Sequence, residues 1–224
     1  MADSNNNKYK VLLLGNDDVG KTTFFKTATA TADQNTYNNN MFKSTIGIDF
    51  DLIKVPIKDE TIILQIYDTA GNRSFRHITT SYIRGSDTIL LFFDITNEYS
   101  YESIRSYWLS KIVENGTPKV IYIIGTKIDK LRQRKVSLTD ILKWTDEIGI
   151  RYFEISTYSG FNIGTILVQL STDLITPLPN NSIENNKMEK ITTWIDKHEL
   201  SSFSTIDLDD KNYVNYNNKC FFCF

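Results

Sequence analysis

Short apolar runs alternate with amphipathic stretches along most of the chain. Residues 9–14 form an apolar run that stops at Gly15, and residues 21–30 follow with helical character. Residues 46–57 and 61–68 read as strands joined by a polar turn over 58–60. Residues 88–95 and 120–126 are near-continuous apolar runs, the pattern of strands covered on both faces. Further helices are predicted over 101–114, over 138–148 with Ser137 as N-cap, and over 162–174, with a short strand over 151–156. Strands alternating with helices predict an α/β fold, a six-stranded and mostly parallel sheet with helices on both faces.

The pattern changes at 176–179. From there to residue 219 the chain is Asn-rich and poor in apolar residues, and residues 176–224 read as a flexible C-terminal tail. Within it Met188, Ile191 and Ile195 recur at helical spacing with Trp194 beside them. That stripe fits a short helix folded back on the body, or one that contacts a partner or a membrane. Residues 1–7 are polar and read as a disordered N-terminus, leaving 8–175 as the folded domain.

Composition narrows the function classes. The net charge is −2, so there is no basic footprint and nucleic acid is not an expected partner. No apolar core of a signal peptide follows Met1, Ala2 does not accept a myristoyl group, and the run over 89–93 is too short to span a bilayer. Both cysteines, Cys220 and Cys223, lie in the last five residues, so disulfides do not hold the folded body together. These features predict a cytoplasmic protein.

Gly15-Asn16-Asp17-Asp18-Val19-Gly20-Lys21-Thr22 matches G-x-x-x-x-G-K-[ST] at a strand-to-helix junction, the context this phosphate-binding loop requires. Successive backbone N–H groups and a helix N-terminus suit phosphate oxygens. Lys21 supplies a charge for the β- and γ-phosphates, and Thr22 a hydroxyl for magnesium. The fold class is therefore of the P-loop NTPase type. Thr126-Lys127-Ile128-Asp129 ends a buried strand, where an open α/β sheet places its ligand crevice. A carboxylate there accepts two hydrogen bonds from guanine N1 and N2, which adenine does not offer, and Asp129 is that carboxylate.

With these motifs in hand, the chain from about Lys8 to Leu174 resembles the Ras superfamily and, within it, the Rab family of membrane-traffic GTPases. The resemblance rests on the P-loop, on Ser44-Thr45-Ile46-Gly47-Ile48-Asp49-Phe50, on Tyr67-Asp68-Thr69-Ala70-Gly71 and on Ser81-Tyr82-Ile83-Arg84-Gly85. It implies a switch that binds GTP or GDP with magnesium, hydrolyses GTP and recruits effectors in vesicle traffic. A GTP-loaded scaffold with negligible hydrolysis is the alternative. By resemblance, Gly15, Asp18, Val19, Gly20, Lys21, Thr22 and Thr23 hold phosphates, and Tyr37 is the candidate to stack on the base. Thr126, Lys127, Asp129, Ser156 and Thr157 hold guanine. Thr22, Thr45 and Asp68 hold magnesium, and Gly71 binds the γ-phosphate, with Lys21, Gly71 and Asn72 as the catalytic set. Ile46, Phe50, Tyr67 and Tyr82 align with an effector-reading surface. Exchange factors and GTPase-activating proteins are the implied partners at the switches.

The chain departs from the family in four places. Asn72 stands where Gln usually orients the attacking water. Asp17 and Asp18 occupy the middle of the P-loop, where Gly is usual at the second position. The segment between Lys21 and Thr45 is roughly five residues longer than usual, which loosens the assignment of Tyr37. The ending Cys220-Phe221-Phe222-Cys223-Phe224 fits none of the common prenylation patterns. Even so, Cys220 and Cys223 are the candidate lipidation sites, which would place the protein on the cytosolic face of a membrane. The first two departures predict slow hydrolysis.

Overall fold

A computed structural model describes residues 7–32, 45, 47–116, 118–176 and 182–198. Tyr37, Ile46, Cys220 and Cys223, and residues 1–6 of the N-terminal segment expected over 1–7, lie outside the described residues. Six strands form one sheet in the order β2-β3-β1-β4-β5-β6. They are β1 (Lys8–Gly15), β2 (Ile48–Ile57), β3 (Glu60–Thr69), β4 (Thr88–Asp94), β5 (Val120–Thr126) and β6 (Arg151–Glu154). Only the β2–β3 pair is antiparallel, and the other four pairings are parallel. The predicted mixed, mostly parallel sheet is the one observed.

Alternation along β1 explains why both faces are covered. Val11 and Leu13 point into one core with Phe24, Phe25 and Ala28 of α1 (Lys21–Ala32) and Ile166 and Leu170 of α6 (Ile163–Ile175). Leu12 and Leu14 point into the other. There they meet α3 (Glu98–Ser103), α4 (Leu109–Asn115) and α5 (Leu138–Ile148). A period of two along a strand between two helical layers has this consequence.

Two elements differ from the expectations. The helix expected over 101–114 starts at Glu98 and is broken by a π turn, Ile104–Trp108, between α3 and α4. The wide turn puts Trp108 wholly inside the core and leaves the adjacent Tyr107 half-buried at its rim. The second is α7 (Ser182–Lys197): it departs from the flexible-tail assignment of 176–224 and fits the reading of the apolar stripe as a short helix folded back on the body. It packs against α4 and α5. Ile191, Trp194 and Ile195 are buried there, with the Trp194 ring 5.8 Å from that of Trp144. The Arg105 guanidinium lies over Trp194 at 5.2 Å and over Trp144 at 5.6 Å. A few apolar residues at helical spacing were enough to bind an otherwise polar helix to the body, since its outer face needs no burial.

Candidate functional site

Because β1, β3, β4 and β5 run in parallel, their C-terminal ends share one edge of the sheet. That edge carries Gly15, Thr69, Asp94 and Thr126. Gly15 must be a glycine: its φ is +141°, and an added Cβ would lie 2.3 Å from the Phe92 carbonyl oxygen. After it the chain turns through Asp18 in the left-handed region (φ 57°) and Gly20 (φ 93°) before entering α1. Asp tolerates that region better than most residues. Such a sequence of turns collects backbone N–H groups around a concavity, with the start of α1 adding its own. Asp17 and Asp18 are exposed on its rim, and Val19 is buried beneath it.

Lys21 is buried under the loop, with Nζ donating to Gly15 O at 2.9 Å and Asn16 O at 2.7 Å. Burial pushes its pKa down to about 8, opposed by Asp68, Asp17 and Asp18. Thr23 follows Thr22 in the first turn of α1 and is half-buried. Thr22 Oγ1 donates to Asp68 Oδ2 at 2.7 Å and lies 2.8 Å from Thr45 Oγ1, which is itself 3.1 Å from Asp68 Oδ2. Burial raises the Asp68 carboxyl above its ordinary pKa, against the two threonine hydrogen bonds and Lys21. Its second oxygen, Oδ1, is buried with no hydrogen-bond partner among the described residues. Two hydroxyls and a carboxylate with one unsatisfied oxygen are hard donors that fit magnesium.

At the other end of the edge, Lys127 adopts a left-handed conformation and its Nζ pairs with Asp94 Oδ2 at 2.8 Å. Asp129, in the 3₁₀ turn Ile128–Gln133, is exposed, and one of its oxygens accepts from Ser156 Oγ at 2.6 Å. The loop from Ser156 closes on itself through a bridge to Phe161. Thr157 reaches the P-loop: its Oγ1 is 3.7 Å from where a Gly20 Cβ would sit, and its carbonyl accepts from Thr27 at 3.4 Å. Thr126 ties the two halves together, with its buried hydroxyl 2.8 Å from Val19 O and 3.0 Å from Phe93 O.

Gly71 sits against the P-loop so closely that a Cβ would lie 2.4 Å from the Asn16 carbonyl carbon and 2.5 Å from Asp17 N. Asn72 is exposed and caps the short turn Arg73–Phe75, its Oδ1 accepting from Ser74 N at 2.9 Å. Phe50, Tyr67 and Tyr82 form one continuous aromatic strip. Phe50 stacks on Tyr67 at 5.6 Å, and Tyr67 lies 6.0 Å from Tyr82. Phe50 is exposed, while the two tyrosines are half-buried. Lys10 Nζ lies 5.2 Å from each tyrosine ring.

Sequence reasoning passed over several residues that the fold brings to this site. Asn16 donates to Ser103 Oγ at 2.8 Å and accepts from Trp108 Nε1 at 3.2 Å and from Arg76 Nη2 at 3.4 Å. Asp94, at the end of β4, sets the Lys127 side chain. An acidic residue ending a buried strand was the one available signal for Asp94. Nothing local marks Asn16, whose partners lie as far as 92 residues away.

Comparison with known proteins agrees with this geometry. The model of the Ras family matches residues 10–176. The Ras-related protein Rab-13 of Bos taurus is 38% identical over 187 residues, covering 83% of this chain and 89% of that protein. The Ras-related protein Rab-8A of Gallus gallus is 37% identical over 209 residues, 91% of this chain and 97% of its own length. Rab-8 of Diplobatis ommata is 36% identical over 192 residues, 85% of this chain and 89% of its own. With the sheet order, the P-loop and the relatives in agreement, this chain belongs to the Ras family and, within it, to the Rab proteins, small GTPases that hydrolyse GTP and act as switches in membrane traffic.

Proposed function

We propose that the chain cycles between GTP and GDP with magnesium in the cradle between Lys21 and Asp129, and that its intrinsic hydrolysis is slow. The single observation that supports the site is the shared sheet edge. There an anion cradle, an oxygen triad with a free Asp68 oxygen, and an exposed Asp129 lie together. In this reading the P-loop N–H groups and Lys21 hold the β- and γ-phosphates, and Gly71 N–H approaches the γ-phosphate. Thr22, Thr45 and Asp68 hold magnesium, which when bound offsets the phosphate charge. Lys127 and Asp129 hold the base, with Ser156 and Thr157 behind it. Competition between GTP and ATP for a fluorescent guanine nucleotide tests the reading, and displacement by ATP as effective as by GTP would end it.

The slow rate follows from positioning. Asn72 is one methylene shorter than the Gln usual in the family, and its carbonyl oxygen is engaged with Ser74 N–H. A displacement of ~1 Å from a reacting atom costs on the order of 10²-fold in rate. Asn72→Gln is therefore expected to raise single-turnover GTP hydrolysis by about tenfold. A parent already as fast as a relative with Gln, and unimproved by the change, contradicts the positioning argument. Hydrolysis no faster than in buffer would instead favour the GTP-loaded scaffold.

Effectors would read the switch through the strip of Phe50, Tyr67 and Tyr82 together with Ile46, and regulators would engage the same region. Membrane attachment would use Cys220 and Cys223. One lipid chain holds a protein only marginally, so two chains or a helper protein are expected. Mass spectrometry of protein from its native source should show lipid on at least one of these cysteines, and two free thiols would refute the attachment.

A further inference from the structure

A P-loop with two adjacent carboxylates faces an electrostatic problem when it receives a triphosphate. The close contact between Gly71 and the backbone of Asn16 and Asp17 puts Asp17 at the end of the cradle assigned to the γ-phosphate. Although Asp17 is exposed on the rim, partial desolvation by the surrounding loop raises its carboxyl pKa, Asp18 adds to the rise, and Lys21 and Arg76 oppose it. Lys21 is already committed to two P-loop carbonyls and, in the proposed reading, to the phosphates. Arg76 has no such duty.

Arg76 opens α2 (Arg76–Ser81) and is half-buried. Its Cζ lies 4.1 Å from the Tyr107 ring centroid and 5.6 Å from that of Trp108. Its Nη2 reaches Asn16 Oδ1 at 3.4 Å, while the buried Nε has no hydrogen-bond partner among the described residues. The guanidinium is thus placed by an aromatic platform, one amide oxygen and the Tyr99 hydroxyl, beside the residue that precedes Asp17. The π turn builds that platform, because it ends on consecutive residues of which Tyr107 faces Arg76 and Trp108 donates to Asn16. An arginine in such a place stays charged and is held by stacking at a fixed distance.

We infer that Arg76 is a positioning residue for the triphosphate state. Its fixed charge offsets the Asp17 carboxylate, so that this P-loop accepts the γ-phosphate, and it acts through Asp17 rather than by touching the phosphates. The inference rests on the guanine-nucleotide reading of the cradle. GDP lacks the group that Asp17 repels, so the effect belongs to GTP.

The test is a double-mutant cycle on the full chain, using fluorescent GTP and GDP at fixed magnesium, with thermal melting as a check on folding. Failure of the parent protein to bind either nucleotide would overturn the nucleotide reading itself. Given binding, R76Q is expected to weaken GTP about tenfold and GDP by less than about threefold. In the D17N background the same substitution should cost less than about threefold for GTP. R76K keeps the charge and should stay close to the parent, even where R76Q lowers the melting temperature. The inference is overturned if R76Q leaves GTP affinity unchanged or weakens both nucleotides equally. It is also overturned if the GTP loss persists in the D17N background, or if R76K is as impaired as R76Q, since those results describe a packing role for the side chain.

Discussion

Asp129→Asn is expected to convert a site that prefers guanine nucleotides into one that prefers xanthine nucleotides. Asp129 is exposed at the end of the β5 edge, and Ser156 Oγ holds one of its oxygens at 2.6 Å. On the proposed reading, a carboxylate so held would accept from guanine N1–H and N2–H together. An amide keeps one acceptor and turns the other position into a donor, which then meets the guanine amino group. A mismatched polar pair at a desolvated site loses both the bond and the solvation of each group. GTP affinity should therefore fall on the order of 10²-fold. Xanthine presents a carbonyl where guanine has its amino group, so XTP should gain what GTP loses. The Ser156 hydroxyl can still donate to the amide oxygen, so the loop should keep its shape and the melting temperature should change little. Competition between GTP and XTP for a labelled nucleotide reads the outcome. Unchanged GTP affinity with no gain for XTP would remove Asp129 from the base site.

Thr22→Asn should have an effect of similar size at the other end of the cradle. Thr22 Oγ1, Thr45 Oγ1 and Asp68 Oδ2 lie within 2.7 to 3.1 Å of one another, and Asp68 Oδ1 has no hydrogen-bond partner among the described residues. Replacing the hydroxyl by a longer amide removes one hard donor and fills the space between the other two. Magnesium keeps near-ideal octahedral geometry and tolerates such displacement poorly. A magnesium ion held by this triad would offset the charge of the terminal phosphates, so GTP affinity should fall on the order of 10²-fold and GDP affinity by much less. Chelation offers a second check: it should weaken GTP binding to the parent but weaken the variant little further. Equal affinities for both nucleotides, matching the parent and its response to chelator, would contradict the metal role of this triad.

Much of the fold was legible because its signals are local. Residues 89–93 and 120–124 are unbroken runs of aliphatic and aromatic residues, the pattern of a strand buried on both faces, and the structure buries every residue of β4 and β5. The P-loop was equally legible, since eight consecutive residues specify its turns and the entry into α1. The C-terminal helix was harder to read. Its Asn- and Glu-rich composition resembles a solvated tail, and whether Ile191, Trp194 and Ile195 find a partner depends on Trp144 and α4, which a window of tail residues does not contain.

Periodicity and motif spacing were thus sufficient for the strands, for most of the helices and for the turns over residues 15–22, because each depends on neighbours within a turn or two of chain. The assembly around them was decided by tertiary structure alone. Thr126 joins the P-loop to the segment that carries Asp129 across 107 residues, and Asn16 joins it to Ser103 across 87. The π turn has no composition signal of its own: it is the local adjustment that lets Trp108 fill the core and reach Asn16 while Tyr107 carries Arg76. Contacts of this kind depend on sheet register and on how helices pack over the sheet, so they exist only once the whole chain has closed.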